Sequence, residues 1–220
     1  MKRKFPFIII LMALSISPAY ADEKIDRHQY ACDNGNAKEC NTLGMIYYSQ
    51  GLYPKAEALF KRSLKVFKVI LGEQHPFVAT SLNNLAELYK TQGKYKKAEP
   101  LYQQALKIDE KALGKKHPAV AIDLNNLAGL YKSQGKYKKA KPMFQRALKI
   151  REVALGGQHP DVAQSLNNLA LLYEFLGHYK KAKPMFQRAL KITEKSLGKN
   201  HPSTKTVKKN YKTLLKQMKK

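Results

Sequence analysis

The sequence predicts an all-α solenoid of about four stacked helical hairpins closed by a C-terminal capping helix, on three observations. The pair His-Pro recurs at His75-Pro76, His117-Pro118, His159-Pro160 and His201-Pro202, each time 42 residues after the last. Leu-Gly recurs in the same register at Leu71-Gly72, Leu113-Gly114, Leu155-Gly156 and Leu197-Gly198, and Asn-Asn-Leu-Ala begins at Asn83, Asn125 and Asn167. Between these landmarks the apolar residues keep helical spacing and break at glycine. A fixed period of this length marks one supersecondary unit stacked on copies of itself, each burying its apolar face against its neighbours.

The elements follow in chain order. Residues 1–21 read as a signal peptide: a basic start (Lys2, Arg3, Lys4), an apolar stretch from Phe5 to Ile16, and Ala19-Tyr20-Ala21 with small residues where a signal peptidase inspects the chain. The mature protein is expected to begin at Asp22 and to be periplasmic or secreted. The apolar stretch falls short of the roughly 20 residues needed to cross a bilayer, and no membrane span is expected after cleavage. Residues 22–35 should form a short N-terminal helix, near Lys24 to Cys32, and a turn. Cys32 and Cys40 are close and even in number, so one disulfide is expected in an oxidising compartment. A zinc site would need about two more ligands, and His28 alone does not supply them.

Four units are expected at 36–76, 77–118, 119–160 and 161–202. In the second, Leu82, Leu85, Ala86 and Tyr89 line one face of a helix A, from about 78 to 91. Gly93 breaks the pattern. Ala98, Leu101, Tyr102, Ala105, Ile108 and Leu113 then form the stripe of a longer helix B, from about 95 to 113. Pro100, Pro142 and Pro184 fall about five residues into helix B. After His201-Pro202, residues 203–220 carry a last apolar stripe of Val207, Tyr211, Leu214, Leu215 and Met218 among lysines, a basic capping helix over the exposed end of the stack.

At Leu85, Ala86, Tyr89, Gly93, Ala98, Tyr102 and Ala105, and at their counterparts in the other units, the chain resembles the tetratricopeptide repeat. In the first unit the counterparts are Leu43, Gly44, Tyr47, Gly51, Ala56 and Phe60, with Ser63 in place of the last alanine. The period and the Leu-Gly-x-x-His-Pro linker are similar to those of kinesin light chains and their bacterial relatives. The resemblance implies a right-handed α-solenoid that binds protein partners, with helix A lining a concave groove. Around Cys32 and Cys40 the sequence is similar to the cysteine-rich, disulfide-stapled relatives of this repeat, which implies a staple from the end of one helix to the start of the next.

Lys and Arg number 41 against 16 Asp and Glu, a formal net charge of +25. Such an excess attracts polyanions. Lys94, Lys96 and Lys97, Lys136, Lys138 and Lys139, and Lys180 and Lys181 recur at the start of helix B, where positive charge opposes the helix dipole. A polyanion or envelope-surface binder acting through this lysine edge is therefore the alternative function. Nucleic acid is not an expected partner of an exported protein.

No nucleophile elbow, phosphate loop or paired metal-ligand motif is present, so neither an enzyme nor a cofactor is expected. The His-Pro histidines lie too far apart for a shared metal, which leaves a turn or capping role. Glu87, Glu99, Asp109 and Glu110 are expected on solvated helix faces, without partners that repeat. The asparagine pairs are the candidate site, because asparagine is a mediocre helix former and three identical mid-helix pairs need a reason. One amide of each pair is expected to bond between units and the other to face a ligand. The predicted peptide-binding groove comprises Asn83, Asn84, Asn125, Asn126, Asn167 and Asn168, flanked by Tyr48, Thr80, Glu87, Ile122, Gly129, Leu171 and Phe175. The amides would read a ligand backbone and the variable neighbours its side chains.

Overall fold

A computed structural model describes residues 18–219, and the predicted leader up to residue 17 lies outside the described residues. The described residues form ten α-helices and no strand. They are α1 (Pro18–Asp33), α2 (Ala37–Ser49), α3 (Tyr53–Leu71), α4 (Pro76–Thr91), α5 (Tyr95–Ala112), α6 (Pro118–Ser133), α7 (Tyr137–Leu155), α8 (Pro160–Phe175), α9 (Tyr179–Leu197) and α10 (Pro202–Gln217). Helices α2 to α9 pair as four A–B hairpins, and α10 covers the end. The N-terminal helix is longer than its sequence suggests, beginning at Pro18 rather than near Lys24.

Each A helix after the first starts at the proline itself, because the preceding histidine caps it. His75, His117, His159 and His201 have extended backbones, and their Nδ1 atoms accept from the backbone N–H of Phe77, Ala119, Asp161 and Ser203 at 3.1 to 3.2 Å. Proline follows where an absent N–H costs nothing. The histidines are therefore N-caps, one of the two roles open to them in the sequence. Helix A ends at a glycine with positive φ, as at Gly93 (φ 71°), whose N–H reaches the Lys90 carbonyl while that of Lys94 reaches Tyr89. Pro100, Pro142 and Pro184 lie inside α5, α7 and α9, whose first residues are Tyr95, Tyr137 and Tyr179.

Packing follows the small-and-large alternation of the repeat. Ala56, Ala98, Ala140 and Ala182 are fully buried, as are Ala86, Ala128 and Ala170, and the rings of Phe60, Tyr102, Phe144 and Phe186 fill the space between them. One apolar cluster runs from Ala56 to Leu214 through every unit. In the first unit Gly44 takes the place of Ala86, and a Cβ there would sit 2.6 Å from the Phe60 ring. Consecutive A helices touch one another, α2 to α4 and onward to α10, whereas no B helix touches the next B helix. The A helices therefore lie on the inner, concave side of the stack.

The N-terminus is stapled as expected. Cys32 at the end of α1 and Cys40 in α2 form a disulfide, with Cα atoms 4.7 Å apart and both side chains fully buried. Asn36 caps α2 by accepting from the backbone N–H of Lys38 and Glu39, and Arg62 of α3 holds Asp33 at 2.6 Å.

Candidate peptide-binding groove

The asparagine pairs build a ladder along the concave side. In the first of each pair the amide points at the next unit: Asn41 Nδ2 donates to Ser81 at 2.9 Å, Asn83 to Asp123 at 2.5 Å, and Asn125 to Ser165 at 3.3 Å. The second asparagine of the following unit reaches back. Asn84 donates to the Asn41 carbonyl oxygen and Asn168 to that of Asn125, both at 3.5 Å, and Asn210 of α10 donates to Asn167 at 2.9 Å. An amide carries both a donor and an acceptor, so Asn41 and Asn125 each hold the following unit by two bonds. Asn125 and Asn167 are buried, and Asn83, Asn84 and Asn168 are half-buried. The expected division into one structural and one free asparagine is thus corrected: both members of a pair belong to the ladder wherever it is complete.

It is incomplete at one place. Asn126 is the position that would reach back to Asn83, but its side chain makes no hydrogen bond to any described residue, and the buried Asn83 carbonyl oxygen is left without a partner. Asn126 lines a cleft of about 400 Å³ together with Lys90, Ile122, Gly129, Lys132, Gln164 and Asn168. Gly129 opens this cleft. A Cβ at that position would meet nothing closer than the Lys90 ammonium at 3.9 Å, whereas the same position is Glu87 one unit before and Leu171 one unit after.

The cleft is polar and basic. Lys90 lies 2.6 Å from Glu87, which also accepts from the Tyr102 hydroxyl at 2.6 Å. Burial beside that carboxylate pushes the Tyr102 hydroxyl well above its usual range. Burial also pushes the Lys132 ammonium below its usual range, an effect that Glu174 opposes. Arg151 closes the floor, donating to the Asp161 carbonyl, Gln164 and Ser165 at 2.9 to 3.1 Å. Lys90, Lys132, Arg151 and Gln164 are absent from the predicted site. Lys90 and Lys132 share a period and lie one helical turn from Ala86 and Ala128, so the signal for them was present, but Arg151 comes from helix B and is invisible to a reading of helix A alone.

The other predicted residues divide between the groove and structural roles. Ile122 and Phe175 are exposed, at 46% and 63%, and Leu171 is half-buried. Phe175 stacks on Tyr137 with ring centroids 4.8 Å apart. Tyr48 is tied to Thr91 by a 2.7 Å hydroxyl contact, and Thr80 bonds its own helix at the Pro76 carbonyl.

One expectation about charged residues is overturned. The four carboxylates are neither unpartnered nor all solvated. Glu99 accepts from the Tyr131 hydroxyl as Glu57 does from Tyr89 one unit earlier, and Glu110 pairs with Arg146 as Glu152 pairs with Arg188 one unit later. Asp109 and Asp123 are buried against each other between the second and third units. Burial pushes Asp123 up to about 8, the Asn83 amide pulling against the rise and the Asp109 carboxyl adding to it. The lysine edge also has partners. Lys94 and Lys97 sit over the Tyr89 ring, Lys136 and Lys139 over Tyr131, and Lys141 and Lys181 over Tyr173, at 5.2 to 6.0 Å from the centroids. Apart from that of Lys141, which joins α7 to α8, these contacts pin the turn between helices A and B with cation–π attraction.

The profile of the family described as Tetratricopeptide repeat matches residues 36–111, 98–152 and 124–195. A search of curated proteins finds no match. Among solved structures, BtubC (BKLC) from P. vanneervenii is similar at a TM-score of 0.74 and 26% identity, over 90% of this chain and 81% of that one. A Podosopora anserina kinesin light chain with nearly identical TPR-like repeats is similar in fold at a TM-score of 0.68 and 23% identity, over 83% of this chain and 86% of that one. Among the described residues no helix is long and apolar enough to cross a membrane, and no cluster of three or more His, Cys, Asp or Glu could hold a metal.

Proposed function

This chain belongs to the tetratricopeptide repeat family, and on that premise we propose that it is a non-enzymatic scaffold that holds an extended peptide or partner segment in its concave groove, outside the bacterial cytoplasm. Repeats of this family generally serve protein–protein contacts. The observation that carries the finer reading is the interrupted ladder: Asn126 has an unused amide in a cleft that Gly129 leaves open. Helical backbone inside the stack has no groups to spare, so a ligand backbone must be read by side-chain amides. Exposed Ile122 and Phe175 along the same side offer apolar contact to the ligand's side chains. The buried disulfide and the leader-like start support an oxidising compartment, periplasmic or secreted.

A pull-down from envelope and culture fractions, with the wild-type protein and a Gly129→Leu variant as matched baits at low and high salt, tests this reading. A partner retained by wild type at both salt concentrations and lost on Gly129→Leu is expected. A partner retained equally by both baits would overturn the assignment of the groove. N-terminal sequencing of the exported protein should begin at Asp22.

A further inference from the structure

We propose that the outer face of α10 is a docking surface for an anionic lipid bilayer. The helix occupies the place of helix A in a fifth unit: His201 caps it, and Asn210 reaches back to Asn167. Its inner face, with Val207 and Leu214, is buried like any A helix. The face that would receive a further helix is changed. Lys205 stands where the earlier units have Ala79, Ala121 and Ala163, Lys208 where they have Leu82, Leu124 and Leu166, and Lys212 where they have Ala86, Ala128 and Ala170, all of them buried. Lys209 and Lys216 extend the row, and all five lysines are exposed.

The end of a solenoid needs only polarity, which glutamate, glutamine or mixed charge would supply. Here the charge is of one sign, and α10 contains no acidic residue. Lysines three and four positions apart repel across the helix surface, so the row weakens the element that carries it. Among the described residues these five make no ion pair or ring contact, unlike Lys94, Lys97, Lys136, Lys139 and Lys181 at the A–B turns. Those turn lysines serve the fold, whereas the five on α10 form an unbroken row of unpaired positive charge at positions that are apolar and buried, or else neighbours of such positions, in the earlier units.

The shape of the row selects the partner. From Lys205 to Lys216 the ammonium groups spread over about 16 Å of one straight helix face. None is recessed, and the face has no arginine for bidentate phosphate contact and no exposed aromatic ring on which a base could stack. Flexible point charges around a shallow, open face match a plane of mobile anionic headgroups, each lysine adding to the attraction. This surface is separate from the groove and does not depend on it.

Flotation with phosphatidylcholine vesicles, and with vesicles holding about 30% phosphatidylglycerol, tests the proposal. The protein should float only with the anionic vesicles and be released at high salt. The triple variant Lys205→Gln, Lys208→Gln, Lys212→Gln should bind about tenfold more weakly or worse, and the matching triple change to Arg should retain binding. A control that removes the same charge from the turns, Lys136→Gln, Lys139→Gln, Lys181→Gln, should stay within about twofold of wild type, and Gly129→Leu should have no effect. Equal loss in the control, binding to a soluble sulfated polysaccharide but not to vesicles, or binding to neither would each overturn the proposal.

Discussion

Asn126 and Asn168 occupy the same position in successive units, yet one amide is free and the other is committed to Asn125. At that junction Asp123 takes the Asn83 amide where the neighbouring junctions present Ser81 and Ser165, and the Asn83 carbonyl oxygen is left without a partner. Periodicity shows that the asparagines matter. It cannot show which of them is left over, because that is settled by side-chain contacts across each junction. Replacing Asn126 by Ala should therefore weaken a groove ligand by about 1 to 3 kcal/mol with no loss of stability, since the cost falls on an unpaired ligand group. The same change at Asn168 should lower the melting temperature as well. The Asp109–Asp123 pair makes a second prediction at this scale. Asp123 is raised in the folded protein, so the fold holds a proton that the unfolded chain has released, and stability should fall as pH rises from about 4 through about 8. His117 and Glu110 are the other titratable groups that act on the pair. Asp123→Asn keeps an acceptor for Asn83 and offers Asp109 a donor. Thermal unfolding of this variant should flatten over that range and exceed wild type at its upper end.

At the scale of elements, hairpin boundaries were legible because they are written in turn chemistry that recurs: glycine after each A helix, Leu-Gly after each B helix, and His-Pro before the next. The caps show how small a change would unfasten one. His117→Ala should cost about 1 kcal/mol in chemical denaturation, and His117→Asn should restore most of it, because Asn also accepts from the first-turn N–H groups. Gly44 reverses an ordinary rule. Alanine in a helix interior usually stabilises relative to glycine by about 0.5 to 1 kcal/mol, but here its methyl group would collide with the fully buried Phe60 ring. Gly44→Ala should lower the denaturation midpoint, and Gly44→Ala with Phe60→Leu should recover part of the loss. The lysines at the A–B turns were legible as a pattern but not as a cause. Their partners are the Tyr89, Tyr131 and Tyr173 rings of the preceding helix, a contact between elements that spacing along one helix does not reveal.

For the whole molecule, the A helices touch along the inside of the stack and the B helices fan outward, so the inside is a continuous surface that side chains from several units can share. Under the proposed function, a long ligand in that groove would meet different neighbours in successive units, Glu87, Gly129 and Leu171, and a free amide at Asn126. The repeats were legible because each unit restates them, while the start of α1 was not, and the cleft was legible only in part, since it exists where one unit departs from the pattern and Arg151 enters from helix B. The most direct measurement is the affinity of a peptide, selected on the immobilised wild-type protein from a random displayed library, for wild type, Asn126→Ala, Gly129→Leu and a reversal of Lys136, Lys138 and Lys139 to Glu. Groove recognition predicts a loss of about tenfold or more for the first two variants, with the reversal changing chiefly the association rate and its salt dependence. Undiminished binding to Asn126→Ala and Gly129→Leu, with binding abolished by the lysine reversal in a folded protein, would contradict it.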